Sequence, residues 1–254
     1  MTPYYEHAGI TIYHADCRDV LSQVPPVQLL LTDPPYGINL GKHASATLNG
    51  IGTHGHLGKR GYDSYEDTVE NFLSIVVPVI NAVLPKVIRG VVFCAGRHVN
   101  EFPKPTEIGG IYFPAAIGIC RWGFNSVAPA LLYGPGCNTH LGAKPTIYVS
   151  YDGPPNNGHP CPKPLPAIKH FVNLGSSEGD WIIDPFMGSG TTLRAAKDMG
   201  RCAIGIEIEE RYCEIAAKRL SQEVLPFELP QSANGIEFQS TLDYPEERQH
   251  KEST

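Results

Sequence analysis

Residues 181–209 read WIIDPFMGSGTTLRAAKDMGRCAIGIEIE, and this stretch decides the fold. Trp181–Asp184 is a short apolar run that reads as a strand, and Pro185–Gly190 is a glycine-rich turn. Thr191–Met199 suits a helix, and Cys202–Ile206 is a second strand. After Glu207 a further helix is expected at about Arg211–Leu220, with Lys218 and Arg219 in its last turn, where cations meet the negative end of the helix dipole. Strand, helix, strand and helix in this order build a doubly wound sheet. The expected class is therefore α/β with a doubly wound, mixed but mostly parallel sheet.

The turn carries the first chemistry. In Asp184-Pro-Phe186-Met-Gly188-Ser189-Gly190-Thr191-Thr192, glycines between strand and helix let backbone N–H groups close on a ligand, and the helix N-terminus favours a negative group. Glu207 lies 23 residues after Asp184, at the end of the next strand, where an acid can take a pair of ribose hydroxyls. An ordinary tight turn is the plain alternative. A dinucleotide fits poorly, because Leu193 stands where the third small residue is needed. A triphosphate fits poorly too, because the turn has no lysine of the P-loop kind. What remains is an adenosine carrying a carboxylate, S-adenosylmethionine.

Upstream, Gln28–Asp33 (QLLLTD) reads as a buried strand stopped by Pro34 and Pro35. Two prolines fix an extended, rigid turn and withdraw two N–H donors. A carboxylate, bare carbonyls and the ring of Tyr36 are thereby presented at the carboxyl edge of the sheet, where open α/β folds bind ligands. Those groups suit a flat exocyclic amine: acceptors for its two hydrogens and a stacking surface for its ring. D-P-P alone would equally be a capped surface turn.

D-P-P-Y at 33–36 and D-P-F-x-G-S-G-T-T at 184–192 together resemble the amino-group DNA methyltransferases, and the order of the two motifs is that of their β class. Ala15-Asp16-Cys17 is similar to the family's G-D-C opening, and His159-Pro-Cys-Pro-Lys163-Pro164 to its H-P-x-x-K-P segment, while Gly205-Ile-Glu207 matches the ribose motif. Ala15 in place of glycine and Pro162 before Lys163 are departures. The resemblance implies the Rossmann-like fold of S-adenosylmethionine-dependent methyltransferases, with Asp33, Pro34, Pro35 and Tyr36 as catalytic residues. It implies Asp16 and Cys17 at the cofactor's adenine and Lys163 near its methionine end. It places Asp184, Phe186, Gly188, Ser189, Gly190, Thr191 and Glu207 around the rest of the cofactor. Double-stranded DNA is the implied partner, and methyl transfer to the N6 amine of a flipped-out adenine the implied reaction. Cytosine N4 is the alternative target, for which the family more often carries Ser than Asp at the first catalytic position. A catalytically inactive cofactor-binding DNA- or protein-binding module is the alternative of a different class.

Composition permits this reading. The chain has 254 residues, 42% hydrophobic and 18% charged, which suits a globular domain with decorations. Gly and Pro number 26 and 23, so many loops are expected. The net charge of −6 is unevenly spread, because residues 221–254 hold seven acids and two bases and leave the first 220 residues at −1. The expected organisation is a methyltransferase domain at 1–220 and an acidic, poorly ordered tail at 221–254. No Asp or Glu falls between Asp33 and Asp63, a gap holding Lys42, Lys59 and Arg60 with three histidines. Residues 38–62 lack any period and read as an inserted loop, with Lys42, Lys59 and Arg60 as DNA contacts or as a solvated basic turn. A second acid-free gap, between Glu107 and Asp152, contains Arg121 and Lys144. Residues 103–158 read as strands and loops, and either gap could read the target.

Elsewhere, Tyr65–Leu84 reads as helical at first and broken near Pro78, and Gly90–Cys94 as another buried strand. The apolar run Phe72–Leu84 is too short to span a bilayer, so no membrane partner is expected. Seven cysteines with no C-x-x-C pair point to reduced thiols and a cytoplasmic setting, in a bacterial or phage-infected cell by the family likeness. Cys137, His140, His159 and Cys161 could make a zinc site, but the helix of a zinc finger is missing and no metal is expected. A homodimer is among the assemblies the sequence leaves open.

Overall fold

In the computed structural model the apolar run Val27–Thr32 is the third strand, β3, and the central member of a sheet. The structure describes residues 2–38, 63–120, 123–137, 144–151 and 162–222. Within those residues the strands follow as β1 (Tyr5–His7), β2 (Ile10–His14), β3, β4 (Val87–Phe93) and β5 (Glu107–Tyr112). The remainder are β6 (Gly118–Cys120), β7 (Gly123–Asn125), β8 (Val127–Tyr133), β9 (Ile147–Val149), β10 (Trp181–Asp184) and β11 (Cys202–Glu207). Among the described residues nine strands join in the order β1-β2-β11-β10-β3-β4-β8-β5-β9, and β6 pairs with β7 apart from them. The run β2-β11-β10-β3-β4 is parallel throughout. β1, and β8 between β4 and β5, run antiparallel to their neighbours. This is the mixed, mostly parallel sheet of a Rossmann-like α/β fold.

The central strands are buried on both faces, which is why β3 reads as a continuous apolar run rather than an alternating one. Leu29 and Leu31 point into one core, with Phe93, Phe171 and Leu193. Leu30 points into the other, with Val92, Ile183, Phe72 and Ile80. The first core is covered by α4 (Leu165–Gly175), α5 (Thr191–Asp198) and α6 (Glu210–Ser221). Gly190 caps α5 at φ +75°, and a Cβ there would stand 2.8 Å from that of Ala216, so the turn and α6 close on each other only over a glycine.

The opposite core is covered by a helical run, Val69–Lys86, and by α1 (Cys17–Val20). The run begins with α2 (Val69–Asn71), capped by Thr68, whose hydroxyl accepts the Asn71 N–H at 3.1 Å. It continues through a π-helical turn at Phe72–Val76, α3 (Val77–Val83) and a 3-10 turn at Leu84–Lys86. The expectation of a break near Pro78 is corrected here. Pro78 sits in the first turn of α3, directly after the π turn, where its missing N–H is absorbed by the change of helical register. The run is long and apolar enough to cross a membrane by length and composition. Its Phe72, Val76, Ile80 and Val83 are packed against the sheet.

Boundaries move slightly elsewhere. Asp33 falls just past the end of β3, the strand expected at Gly90–Cys94 runs from Val87 to Phe93 and leaves Cys94 outside it, and β11 extends to Glu207. Met1–Gln222 forms one compact unit. The tail from 223 and the insertion from 39 to 62 lie outside the described residues, as do His140, His159 and Cys161.

Candidate active site

The chain leaves the central neighbours β3 and β10 in opposite directions, to β4 on one side and β11 on the other. Open α/β sheets bind ligands at such a switch point, beyond the carboxyl ends of the strands. Here those ends gather Asp16 after β2, Asp33 after β3, Asp184 in β10 and Glu207 in β11. A cleft of about 250 Å³ is bordered by Asp16, Cys17, Asp33, Phe186, Gly188 and Glu207. A hollow of about 40 Å³ is bordered by Asp33, Lys163, Asp184, Phe186, Ser189 and Thr191. Asp33, Phe186 and Gly188 line both, so these three residues stand between the two spaces.

Glu207 is 8% exposed and is held by backbone donors alone: Gly188 N–H at 2.9 Å on one oxygen and Glu209 N–H at 2.8 Å on the other. Burial pushes its carboxyl up to about 7, against those two hydrogen bonds, and the charges of Glu209 and Asp184 push the same way. Each oxygen keeps a lone pair for a further donor. Asp184 is buried as well. One of its oxygens accepts the Thr32 hydroxyl at 2.7 Å and the Phe186 N–H at 3.1 Å, which ties β3, β10 and the turn together. Burial raises it to about 6. Asp16 caps α1, accepting the Arg18 N–H at 2.9 Å, and the Arg18 guanidinium holds its carboxyl below the ordinary range. Cys17 beside it is buried, and burial pushes its thiol up to about 12. That keeps it an unreactive wall of the cleft.

The corner around Asp33 is built differently, from side chains. The Tyr36 hydroxyl donates to Asp33 Oδ1, and the Lys163 ammonium lies 2.5 Å from Oδ2 and 3.3 Å from the Tyr36 oxygen. The same ammonium stands 5.5 Å from the centre of the Tyr36 ring and 5.4 Å from that of Phe93. Pro34 is buried and Pro35 borders the large cleft. Ser189 turns toward α6, where Arg219 donates to its carbonyl at 2.6 Å.

Three residues that sequence reasoning passed over support the site, as does Arg219, read there only as a helix-end cation. His98 is buried, stacks on Phe72 at 4.5 Å between ring centres and hydrogen-bonds the backbone of Tyr36; burial holds its pKa down. Asp67 is buried and accepts the N–H groups of Gly37 at 2.7 Å and Ile38 at 3.2 Å. Glu209, 3% exposed, accepts the Ser64 N–H at 2.6 Å. Arg219 braces the glycine turn from α6. Asp67 and Glu209 thus fix the chain on either side of residues 39–62 next to the site. Glu209 follows Glu207 by two, and Asp67 is among the first acids after the acid-free gap, which is the signal that could have found them.

The whole arrangement is that of a nucleoside-binding α/β enzyme. The DNA methylase family profile matches residues 135–218. The chain is 28% identical over 257 aligned residues to the type II methyltransferase M2.DpnII of Streptococcus pneumoniae, covering 87% of this chain and 93% of that one. It is 27% identical over 272 to M.ScaI of Streptomyces caespitosus, covering 87% and 84%. Among solved structures, M1.HpyAVI superposes with a TM-score of 0.59 at 23% identity, over 84% of this chain and all of that one. The PvuII cytosine-N4-specific DNA methyltransferase gives 0.62 at 19%, over 88% and 90%; these two likenesses speak to the fold. The family profile and the type II relatives support an amino-group DNA methyltransferase. The chain is a DNA methyltransferase, and S-adenosylmethionine is its cofactor. The large cleft fits that group: acidic acceptors in Asp16 and Glu207 for an amine and a diol, and apolar flanks in Ile75, Ile206 and Ile208 for a flat base.

Proposed function

We propose that the chain methylates the N6 amine of an adenine flipped out of double-stranded DNA. The observation that carries this reading is Asp33, just past the end of the central strand, between the cleft and the hollow and followed by two prolines and Tyr36. Bound S-adenosylmethionine supplies an already activated methyl group. Glu207 would hold its ribose hydroxyls, Asp16 and Cys17 its adenine, and the turn from Gly188 to Thr191 the remainder, with Phe186 beside the transferring end. Asp184 acts by holding the turn.

An exocyclic amine is a poor nucleophile because its lone pair is delocalised into the ring. Asp33 and the Pro34 carbonyl accept one N–H each and draw the nitrogen toward tetrahedral geometry. Asp33 then stabilises the positive charge that develops on nitrogen. Tyr36 stacks the extruded base, and His98 holds the backbone of Tyr36 in place. The 38–62 insertion contacts DNA through Lys42, Lys59 and Arg60, since Asp67 and Glu209 hold its two flanks at the site. The type II relatives suggest a restriction–modification setting.

Tritiated methyl transfer to DNA, followed by digestion to nucleosides, tests the reading. Label in N6-methyladenine is expected. Label in N4-methylcytosine would move the target to cytosine, and no label despite intact cofactor binding would leave a binding module.

A further inference from the structure

Asp33 has no oxygen to itself. Tyr36 donates to one, and the Lys163 ammonium sits 2.5 Å from the other. If Asp33 receives the target amine, as proposed above, that place is taken by another nitrogen donor lying near the same aromatic ring. An amine that gains positive charge on methylation is poorly served by a second cation beside its acceptor.

Lys163 also has somewhere else to go. It lines the hollow with Ser189, Thr191 and Thr192, at the N-terminus of the eight-residue α5. At about 40 Å³ the hollow exceeds the roughly 10–15 Å³ that a single water needs, so it has room for a small polar group such as a carboxylate. The helix terminus and the ammonium both favour a negative charge there. Pro162 and Pro164 flank Lys163 and restrict its backbone, so the movement belongs to its four-carbon side chain. With its side chain 13% exposed, Lys163 needs an anion at either position.

We propose that Lys163 is a place-holder that couples the two substrates. It occupies Asp33 until a carboxylate enters the hollow, then turns to that carboxylate and leaves Asp33 to the target amine. Each new ligand replaces a partner that the other takes away: the cofactor's carboxylate replaces Asp33 for Lys163, and the amine replaces Lys163 for Asp33. Linkage makes the effect reciprocal, so cofactor and extruded base each tighten the other.

The test uses the full chain and a duplex with 2-aminopurine at the methylated position, whose fluorescence reports extrusion of the base. S-adenosylhomocysteine, which keeps the carboxylate, is expected to tighten the extruded complex about tenfold. Methylthioadenosine, which lacks the amino-acid end, is expected to change it less than about twofold. Lys163→Met and Lys163→Gln are expected to bind the duplex without ligand about as tightly as the loaded wild type, and to lose the enhancement. Equal enhancement by the two ligands in the wild type overturns the proposal, as does a wild-type enhancement in either Lys163 variant. Transfer by Asp33→Ala, which leaves no acceptor on the side chain, separates the two readings. Retained transfer removes Asp33 as the amine acceptor and the place-holder with it. Lost transfer with coupling intact in the Lys163 variants removes the place-holder alone.

Discussion

Glu207 and Asp33 both stand at carboxyl ends of parallel strands, yet they are held in opposite ways. Glu207 is gripped by two backbone N–H groups, from Gly188 and Glu209, and is almost sealed from water. Asp33, with its side chain 26% exposed, is held by the side chains of Tyr36 and Lys163. Backbone donors cannot leave without undoing the turn, whereas a hydroxyl and an ammonium can swing aside. The first is an acceptor fixed in advance for a diol. The second is an acceptor kept occupied and open to exchange, as a group that meets a substrate delivered from elsewhere must be.

The largest expected effect breaks the exchangeable side. Asp33→Ala should lower methyl transfer by about 10²–10³-fold, the scale of removing one group that stabilises developing charge. Cofactor affinity by calorimetry should not weaken, because Glu207 and the glycine turn are untouched and Lys163 is released from Asp33 to the cofactor's carboxylate. Transfer above about a tenth of wild type, a loss below roughly 1.4 kcal/mol, would take Asp33 out of the chemistry.

The fixed side should fail in binding instead. Glu207→Ala should weaken S-adenosylmethionine by about 1.5–3 kcal/mol for each charged hydrogen bond removed. Unchanged affinity in calorimetry would remove Glu207 from the cofactor site and undercut the comparison itself.

A smaller effect sharpens it. Burial raises Glu207 to about 7 from an ordinary 4.5, so the unliganded fold favours its protonated form. Its contribution to stability falls as pH rises between those values, since over that window the folded state binds more protons than the unfolded one. Two ribose hydroxyls donating to the carboxylate favour the ionised form, so binding near neutrality should release a proton. Affinity should then be about tenfold weaker at pH 6 than at pH 8, and Glu207→Gln should flatten that dependence. A flat wild-type profile would mean the carboxylate is already ionised across this range.

The same contrast explains what the sequence made legible. Gly188 and Glu207 are 19 residues apart within one strand–turn–helix–strand unit, so glycine spacing and an acid at a strand end reveal them together. Lys163 and Asp33 are 130 apart, and no local pattern says that they meet. Lys163 was visible only through a family motif, which assigned it to the cofactor rather than to the acid. The β1–β2 hairpin hid for another reason: its two-residue turn places Ala8 at φ +49° before Gly9 at +77°, a conformation that ordinarily asks for Asn or Asp in alanine's place. The run at 69–86 looked broken because a π turn before Pro78 has no sequence signature of its own.

The smallest expected effect concerns the insertion, whose flanks the rigid side of the site helps to hold. Glu209, bonded through its own N–H to Glu207, also takes the Ser64 N–H, while Asp67 takes those of Gly37 and Ile38. Lys59 and Arg60 lie in the segment between those anchors, in a stretch without acids. Replacing both with Ala should lower DNA affinity and flatten its salt dependence by up to about 0.9 log unit for each phosphate no longer neutralised. Cofactor affinity should not change, because neither residue belongs to the motifs around Glu207 and Gly188. A salt slope equal to that of wild type would place the phosphate-binding residues elsewhere. The other acid-free stretch, 108–151, would then be the first place to look, and the anchoring by Asp67 and Glu209 would serve the shape of the cleft alone.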